Sequence, residues 1–387
     1  MLTEHATRAG RHAVLICLVL AGMLLPAACS AIPGNTAVGK LPTAPQAPEP
    51  IPWPQGVATA MAFADQAHGW MGGSGFILRT TDGGFTWYKD YQGEARVIQI
   101  EAVDANHAWA LTSSYGLLRR EAAGWTAVPL TQQIHALDFV DATTGFAVSG
   151  IPERFGSPEA GHLLKTTDGG KSWEAVNTPL PVEDVSFADA EHGWALFPGT
   201  IDKAPRLLYT ADGGRGWQSL AIPDEKLGFY TMFMQAEPGG VLWVVRGSDQ
   251  PQGEGYALYR VTAAGQRWDP VLGSPLFAQK VNGTIPVGPL LFPVAASFPD
   301  VKTARLAVTC AQCGLDQETG MSGMITVVGT RDGGVTWSQS VLPILGRAAS
   351  DPILMASWGA ETAWILVRGT LLFKTPDAGK LWYYIYP

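Results

Sequence analysis

The stretch TTDGGKSW at residues 166–173 decides the fold, because close copies of it recur along the chain. Copies that keep the Thr, the Asp, a Gly and the closing Trp stand at 80–87, 210–217, 330–337 and 375–382. We call each copy a box. An Asp-Gly-Gly turn followed by a tryptophan is typical of a tight hairpin between two antiparallel strands. The repeat therefore predicts many short strands joined by similar turns.

The spacing of the boxes defines seven repeat units. Two degenerate copies, which end at Trp125 and Trp268, fill the gaps between the clear ones. A second signature precedes the box, as in the stretch FADAEHGW at 187–194. Each unit reads as four strands, and such units cover their apolar faces by stacking radially. We predict an all-β, seven-bladed β-propeller of four-stranded blades over residues 57–387, with units near 57–94, 95–131, 132–181, 182–224, 225–275, 276–343 and 344–387.

Composition agrees with this class and excludes others. The chain has 387 residues, of which 45 are Gly, 28 Pro and 14 Trp, and only 16% are charged. Few charges and many turn-forming residues favour short strands over long amphipathic helices. The net charge of −8 argues against nucleic acid as a partner, since sequence-independent nucleic-acid binding needs a basic surface.

The N-terminal residues have the layout of an export signal. Arg8 and Arg11 precede the apolar run 13–28, which is short for a membrane span of ~20 residues. The run leads into LPAAC, which looks like a bacterial lipobox, so we expect residues 1–28 to be a lipoprotein signal peptide and Cys29 to carry the lipid. Ordinary signal cleavage, with Cys29 as an incidental thiol, is the alternative.

Residues 29–56 hold seven prolines and are interpreted as a linker. At ~3.1 Å per residue, an extended Pro-rich chain of this length spans up to ~80 Å. We expect the propeller to lie outside the cytoplasm in the bacterial cell envelope, joined to the membrane only through the N-terminal lipid anchor.

The Thr-x-Asp-Gly-Gly-x-Thr-Trp pattern resembles the Asp-box, or bacterial neuraminidase repeat, of sialidases, the sortilin ectodomain, xyloglucanases and the Ycf48/Hcf136 photosystem II assembly factors. Its pairing with the upstream Phe-x-Asp-x-x-His-Gly-Trp signature is most similar to the Ycf48-like group, and the resemblance covers nearly the whole chain after the linker. The resemblance implies a seven-bladed propeller, preceded by an export signal, with an assembly-factor role.

The box residues are expected to be structural. The Asp accepts hydrogen bonds from turn N–H groups, the glycines adopt positive φ and the Trp covers apolar surface. Calcium binding is the alternative, but each loop offers one carboxylate where an EF-hand-like site needs several. The structural set is Asp82, Trp87, Asp168, Trp173, Asp212, Trp217, Asp332, Trp337, Asp377 and Trp382.

Long insertions indicate a binding face opposite the boxes. In a four-stranded meander the second loop opens on that opposite edge, and units three to six have long second loops at 150–162, 198–206, 247–256 and 309–324. Loop elaboration on one face of a repeat array is typical of a binding face. Solvated loop charge is the alternative interpretation for each charged candidate. The candidates are Glu153, Arg154, Glu159, Asp202, Lys203, Arg206, Asp249, Glu254, Asp316 and Glu318.

The innermost strands offer a second candidate set. Aligned copies of the upstream signature place Glu101 and Asp138 at one equivalent position, flanked by apolar residues, so both are expected to line the central channel. A buried, unpaired carboxyl there would have a raised pKa and be suited to acid–base work. Hydrogen bonding of these carboxyls to the backbone is the interpretation we favour.

Cys310 and Cys313 lie in the largest insertion. In an exported protein the simplest expectation is a local disulfide. Zinc would need two further ligands of matching spacing, covalent haem would need a His at Gly314, and a redox role would need a βαβ setting. We expect no cofactor and no metal.

The sequence predicts a non-catalytic scaffold that binds a protein partner, such as an envelope or membrane complex, through the loop-rich face. The chain lacks the Phe/Tyr-Arg-Ile-Pro motif that the sialidase family has ahead of its first box, since FILR stands at 76–79. It also has no recognisable catalytic constellation. A glycan-binding protein or a sialidase-like glycoside hydrolase remains the alternative, with two carboxyls as the groups that hydrolysis needs.

Overall fold

A computed structural model describes residues 56–150, 161–197, 204–222, 229–248, 255–273, 292–309, 325–342, 344 and 352–385. The expected signal peptide, Cys29 and all of the linker before Gly56 lie outside these residues. Within the described ranges, no helix is both long enough and apolar enough to cross a membrane.

The strands pair antiparallel throughout, and the described residues form six sheets. The first sheet contains β1 (Ala58–Phe63), β2 (Gly69–Thr80), β3 (Tyr88–Ala102), β4 (Ala108–Thr112), β5 (Leu117–Glu121) and β6 (Gly124–Val128). The second contains β7 (Ile134–Phe139), β8 (Gly145–Ser149), β9 (His162–Thr166) and β10 (Glu174–Val176). The third contains β11 (Asp184–Phe187), β12 (Gly193–Phe197), β13 (Arg206–Thr210) and β14 (Gln218–Ala221).

The remaining three sheets have four strands each. The fourth contains β15 (Phe229–Glu237), β16 (Val241–Ser248), β17 (Gly255–Thr262) and β18 (Arg267–Gly273). The fifth contains β19 (Phe292–Asp300), β20 (Thr303–Thr309), β21 (Ile325–Thr330) and β22 (Ser338–Leu342). The sixth contains β23 (Ile353–Trp358), β24 (Thr362–Val367), β25 (Leu371–Thr375) and β26 (Tyr383–Ile385).

The prediction of an all-β propeller with four-stranded blades is confirmed, but the count of seven separate blades is wrong. The strands form six sheets because the first two repeat units share β3. Residues Tyr88 to Arg96 of β3 pair with β2, and Val97 to Ala102 pair with β4. No loop separates these halves, whereas at least five residues separate consecutive units elsewhere.

A buried ion pair joins the two units in the first sheet. Asp90, on β3, accepts hydrogen bonds from Arg120 Nε at 2.8 Å, Trp125 Nε1 at 2.7 Å and Trp70 Nε1 at 3.1 Å. Arg120 is 5% exposed, so its charge depends on this carboxylate for compensation. The pair therefore ties the outer strands of the second unit to the first.

The innermost strands follow one another around a ring. β1, the second half of β3, β7, β11, β15, β19 and β23 each contact the next, and β23 contacts β1. The ring is closed by Trp364 Nε1, which donates to Gly83 O at 2.9 Å, and by Ala58 N, which donates to Gly369 O at 3.1 Å. Apolar clusters fill the spaces between neighbouring repeat units, including the one between the last unit and the first.

The upstream signature is explained by stacking between units. Phe139 stacks on Trp109 of the preceding unit with ring centroids 3.5 Å apart, and Phe187 stacks on Phe146 in the same way at 3.4 Å. A side chain at Gly193 would collide with the Phe187 ring, which is why this position needs glycine. The signature thus encodes contacts between neighbouring units rather than a functional site.

Candidate functional site

The antiparallel order places the box turns and the long loops on opposite edges of the sheets. In the third sheet, Gly213 N of the box donates to Glu191 O of the first turn at 2.8 Å, so these two turns share an edge. The loops after β8, β12, β16 and β20 begin at the other edge, where each sheet also connects to the next. Four consecutive sheets therefore direct their second loops to one edge.

Most of the loop candidates lie outside the described residues. Glu153, Arg154, Glu159, Asp202, Lys203, Asp249, Glu254, Asp316 and Glu318 belong to this group, as do Cys310 and Cys313. Arg206 is described: it begins β13, pairs with Ala221 and is partly buried. Its position at the loop end of that strand places it beside the second loop.

The box carboxylates are engaged within their own turns. Asp168 Oδ1 accepts from Thr166 Oγ1 at 2.8 Å and from Ser172 N at 2.9 Å, while Oδ2 accepts from Ser172 Oγ at 2.6 Å. The hydrogen bonds from Ser172 lower the pKa of Asp168 to about 2. The same Thr–Asp bond recurs at Asp82, Asp212, Asp332 and Asp377.

The box tryptophans cover the sheets to different extents. Trp87 and Trp337 are buried, whereas Trp173, Trp217 and Trp382 are partly buried.

Within the described ranges, no three His, Cys, Asp or Glu side chains come together in a way that would hold a metal ion. The carboxylate oxygens at the box edge accept hydrogen bonds from residues of their own turns.

The predicted channel carboxyls lie on neighbouring inner strands. Glu101 is on β3 and Asp138 on β7, and each is partly buried. Gln99 Nε2 donates to Glu101 Oε1 and to Leu137 O, both at 2.8 Å, and so links the two strands. Asp138 Oδ2 accepts from the backbone N–H of Phe187 on β11. Gln99 therefore joins β3 to β7 while holding the Glu101 carboxyl, and the Asp138 carboxylate joins β7 to β11.

Burial raises the pKa values of these acids. Desolvation raises the pKa of Glu101 to about 7 against the hydrogen bond from Gln99, with Asp184 adding repulsion. Burial and repulsion from Glu101 hold the pKa of Asp138 well above its usual range. A negative charge on one of these carboxylates makes ionisation of its neighbours less favourable. At neutral pH the carboxyls are therefore not all ionised.

Asp184 is a third member of the group that the sequence analysis missed. It begins β11, and burial raises its pKa to about 6. At the strand position equivalent to Glu101 and Asp138, the fourth unit has Ser186. Residues two apart on a strand share a face, so an acid two positions earlier was the available signal.

A histidine connects this region to the first long loop. His135 Nδ1 lies 2.7 Å from Gly150 O, at the start of that loop. Its Nε2 lies 3.0 Å from Glu183 O, in the residue before β11 of the third sheet. The ring therefore bridges the root of one candidate binding loop and the neighbouring sheet.

These inner-strand acids have two chemical capacities. A carboxyl with a pKa near neutrality both donates and accepts protons at neutral pH, as a general acid–base catalyst must. Asp138 also accepts a hydrogen bond from the neighbouring strand β11, which is a structural role. Asp138 joins β7 to β11, and Gln99, which also holds the Glu101 carboxyl, joins β3 to β7.

The chain matches no known family model, and no curated protein matches it in sequence. Solved structures share its fold. A structure described as YCF48 bound to D1 peptide is 16% identical, with 84% of this chain and 94% of that chain covered and a TM-score of 0.54. YCF48 from Cyanidioschyzon merolae is 16% identical, with 86% and 99% covered and a TM-score of 0.55.

A third similar structure is the uncharacterized protein lmo1340 from Listeria monocytogenes, which is 11% identical, with 88% and 98% covered and a TM-score of 0.51. At these identities the similarity establishes the fold alone. The fold is that of a YCF48-like β-propeller.

Proposed function

We propose that this YCF48-like propeller is a non-catalytic scaffold that binds a protein partner, an envelope or membrane complex, and assists its assembly or stability. In this proposal the protein is exported to the bacterial cell envelope and held there by lipid on Cys29, and the partner binds the loop-rich edge.

The observation that carries the proposal is that β8, β12, β16 and β20 of four consecutive sheets all end at one edge, where the long second loops begin. Binding surfaces of repeat proteins are commonly built from such loops. The similar YCF48 structure described as bound to D1 peptide is support from a protein of the same fold, since it associates this architecture with a peptide ligand.

The test is capture of partners by the full chain and by a chain with the second loops after β8, β12, β16 and β20 shortened. A matched control carries Lys171→Ser and Arg215→Ser at exposed tips of two boxes, on the opposite edge. Each chain is tagged, expressed in the native organism and purified from detergent-solubilised envelopes for mass spectrometry.

We expect one membrane complex to accompany the full chain and the control and to be lost from the loop-shortened chain. Its affinity for the purified complex should fall at least about tenfold on loop shortening, which corresponds to ~1.4 kcal/mol. Equal capture by all three chains would place binding elsewhere, and capture of nothing would contradict the scaffold function.

Glycan hydrolysis is a second candidate because Glu101, with its pKa of about 7, lies near a second carboxyl. Such a pair is what glycoside hydrolysis uses. The assay is turnover of sialyl and glucan substrates by the purified chain, compared with Glu101→Gln and Asp138→Asn. Turnover that both substitutions abolish would favour the hydrolase.

A further inference from the structure

His135 contacts two elements through the two nitrogens of its ring. Nδ1 lies 2.7 Å from Gly150 O, where the second loop of the third unit begins, and Nε2 lies 3.0 Å from Glu183 O, just before β11. Both partners are backbone carbonyl oxygens, which only accept hydrogen bonds. Two hydrogen bonds therefore need a proton on each ring nitrogen.

The charge of the ring decides how many of these contacts are hydrogen bonds. A neutral imidazole has one N–H, so one of the two carbonyl oxygens then faces a nitrogen lone pair. An imidazolium has two N–H groups and satisfies both oxygens, with stronger hydrogen bonds because the donor is charged. The geometry around His135 is therefore complementary to the imidazolium.

The same region ties both ends of the loop to the third sheet. Gly150 N donates to Gln133 O at 3.0 Å, so the first residue of the loop is held through its N–H as well as its carbonyl. At the end of the loop, Val182 N donates to Gly161 O at 3.1 Å, and Glu183 follows Val182 in the chain. We call these contacts the loop-root joint, which is made by His135, Gly150, Gly161, Val182 and Glu183.

The titratable groups around His135 are carboxyls. Strand β7 packs against β3, β4, β8 and β11, and neither β4 nor β8 has a titratable residue. The half of β3 that pairs with β4 contributes Glu101, β7 itself has Asp138, and Glu183 and Asp184 stand at the entry to β11. Negative charge on these groups favours the imidazolium over the neutral ring. The charged residues within the loop lie outside the described residues and are Glu153, Arg154 and Glu159.

We propose that the loop-root joint is a pH-dependent contact, in which protonated His135 holds the start of the loop against the entry to the third sheet. At the acidic end of the range of about pH 5–8, in which histidine ordinarily changes its charge, both ring contacts are hydrogen bonds. At the alkaline end one of them is lost, and the joint becomes weaker. The proposal rests on the proposed function in one respect, because it makes the loop-rich edge assigned to partner binding sensitive to pH.

The test is amide hydrogen–deuterium exchange of the full chain at pH 5 and pH 8, corrected for the intrinsic pH dependence of exchange. The amides of Gly150 and Val182 report on the joint. The variant is His135→Gln, whose amide keeps a donor near the Nε2 position and does not titrate. The matched control is His162→Gln, which replaces an exposed histidine at the other end of the same loop.

We expect exchange at Gly150 and Val182 to rise about tenfold from pH 5 to pH 8 in the wild type and the control, as for loss of one charge-assisted hydrogen bond. The His135→Gln chain should exchange at the same corrected rate at both pH values. Burial raises the pKa of Asp184 to about 6 and that of Glu101 to about 7, so these acids also titrate in this range. A rise that persists in His135→Gln would assign the effect to the acids and overturn the proposal, as would a wild type without any rise.

A second measurement does not require a variant to fold. The ring ¹⁵N resonances of His135 in the wild type, assigned through the backbone of β7, show whether one or both nitrogens carry a proton. We expect two protons at pH 5 and one at pH 8, and a neutral ring at pH 5 would contradict the proposal. Neither measurement uses a partner, so failure of the joint leaves the scaffold function standing, and failure to capture a partner leaves the joint standing.

Discussion

At the residue scale, the inner-strand acids combine a structural position with an unusual protonation. Glu101 is bonded by Gln99 but is also desolvated, and desolvation is the larger effect on its pKa. The folded protein therefore retains a proton on Glu101 at pH values where an unfolded chain has released it. Stability linked to this group is highest at low pH and declines as pH rises from the usual pKa of 4.5 to about 7.

Glu101→Gln should stabilise the protein at pH 8 and change it little at pH 5, because glutamine has no proton to lose. A shift from 4.5 to about 7 corresponds to at most about 3 kcal/mol at high pH. Urea unfolding at both pH values measures the effect. The control is Glu174→Gln, at an exposed position on β10. A gain of equal size at both pH values would contradict the assigned protonation.

Part of this site is readable from residues alone. The equivalent position of Glu101 and Asp138 follows from aligned repeats, because a repeat fixes which strand position faces inward. Asp184 and the histidine bridge at His135 do not follow, because they depend on how the third sheet sits beside the second.

At the element scale, the long strand β3 changes how the repeats are joined. The last strand of the first unit continues directly into the first strand of the second, so no loop connects the two units. Asp90 is the third residue of this strand, and its carboxylate accepts hydrogen bonds from three donors that belong to both units. The ion pair stabilises the shared sheet at the point where the two units meet.

Asp90→Ala should destabilise the protein by about 3–5 kcal/mol, because it leaves the buried Arg120 without its partner carboxylate. Asp90→Asn retains an acceptor for the indole N–H groups and is expected to cost less. Thermal or urea unfolding of both variants measures the difference. If alanine were tolerated as well as asparagine, the pair would have no role in joining the units.

Box turns, in contrast, are local elements. Thr166, Asp168 and Ser172 make all of their mutual bonds within one turn. The sequence identifies such turns because donor and acceptor are at most four residues apart. It does not identify which turns become neighbours, since Gly83 and Lys374, which are hydrogen-bonded, are far apart in the chain.

At the scale of the whole molecule, closure of the ring depends on the contact between the last unit and the first. Trp364 is fully buried and bonds Gly83 O across 281 residues of sequence. The stacked pair of Phe63 and Trp364, with centroids 3.7 Å apart, adds to the same junction. The free energy of unfolding should therefore be sensitive to this junction.

Trp364→Phe removes the indole N–H and part of the packing, and we expect it to lower the free energy of unfolding by about 2 kcal/mol. Trp358→Phe, at an exposed position in the same unit, should change it by less than about 0.5 kcal/mol. Urea denaturation followed by circular dichroism provides both values. Equal effects of the two substitutions would show that the junction adds nothing to closure.

The sequence by itself determined the repeat, the all-β class, the four-strand pattern and the chemistry of the turns, because each rests on interactions between residues close together in the chain. Tertiary structure decided that Asp90 of the first unit pairs with Arg120 of the second, that Asp184 joins Glu101 and Asp138, and that the last unit packs against the first. These features arise between residues distant in sequence, so the geometry of the closed ring alone brings them together.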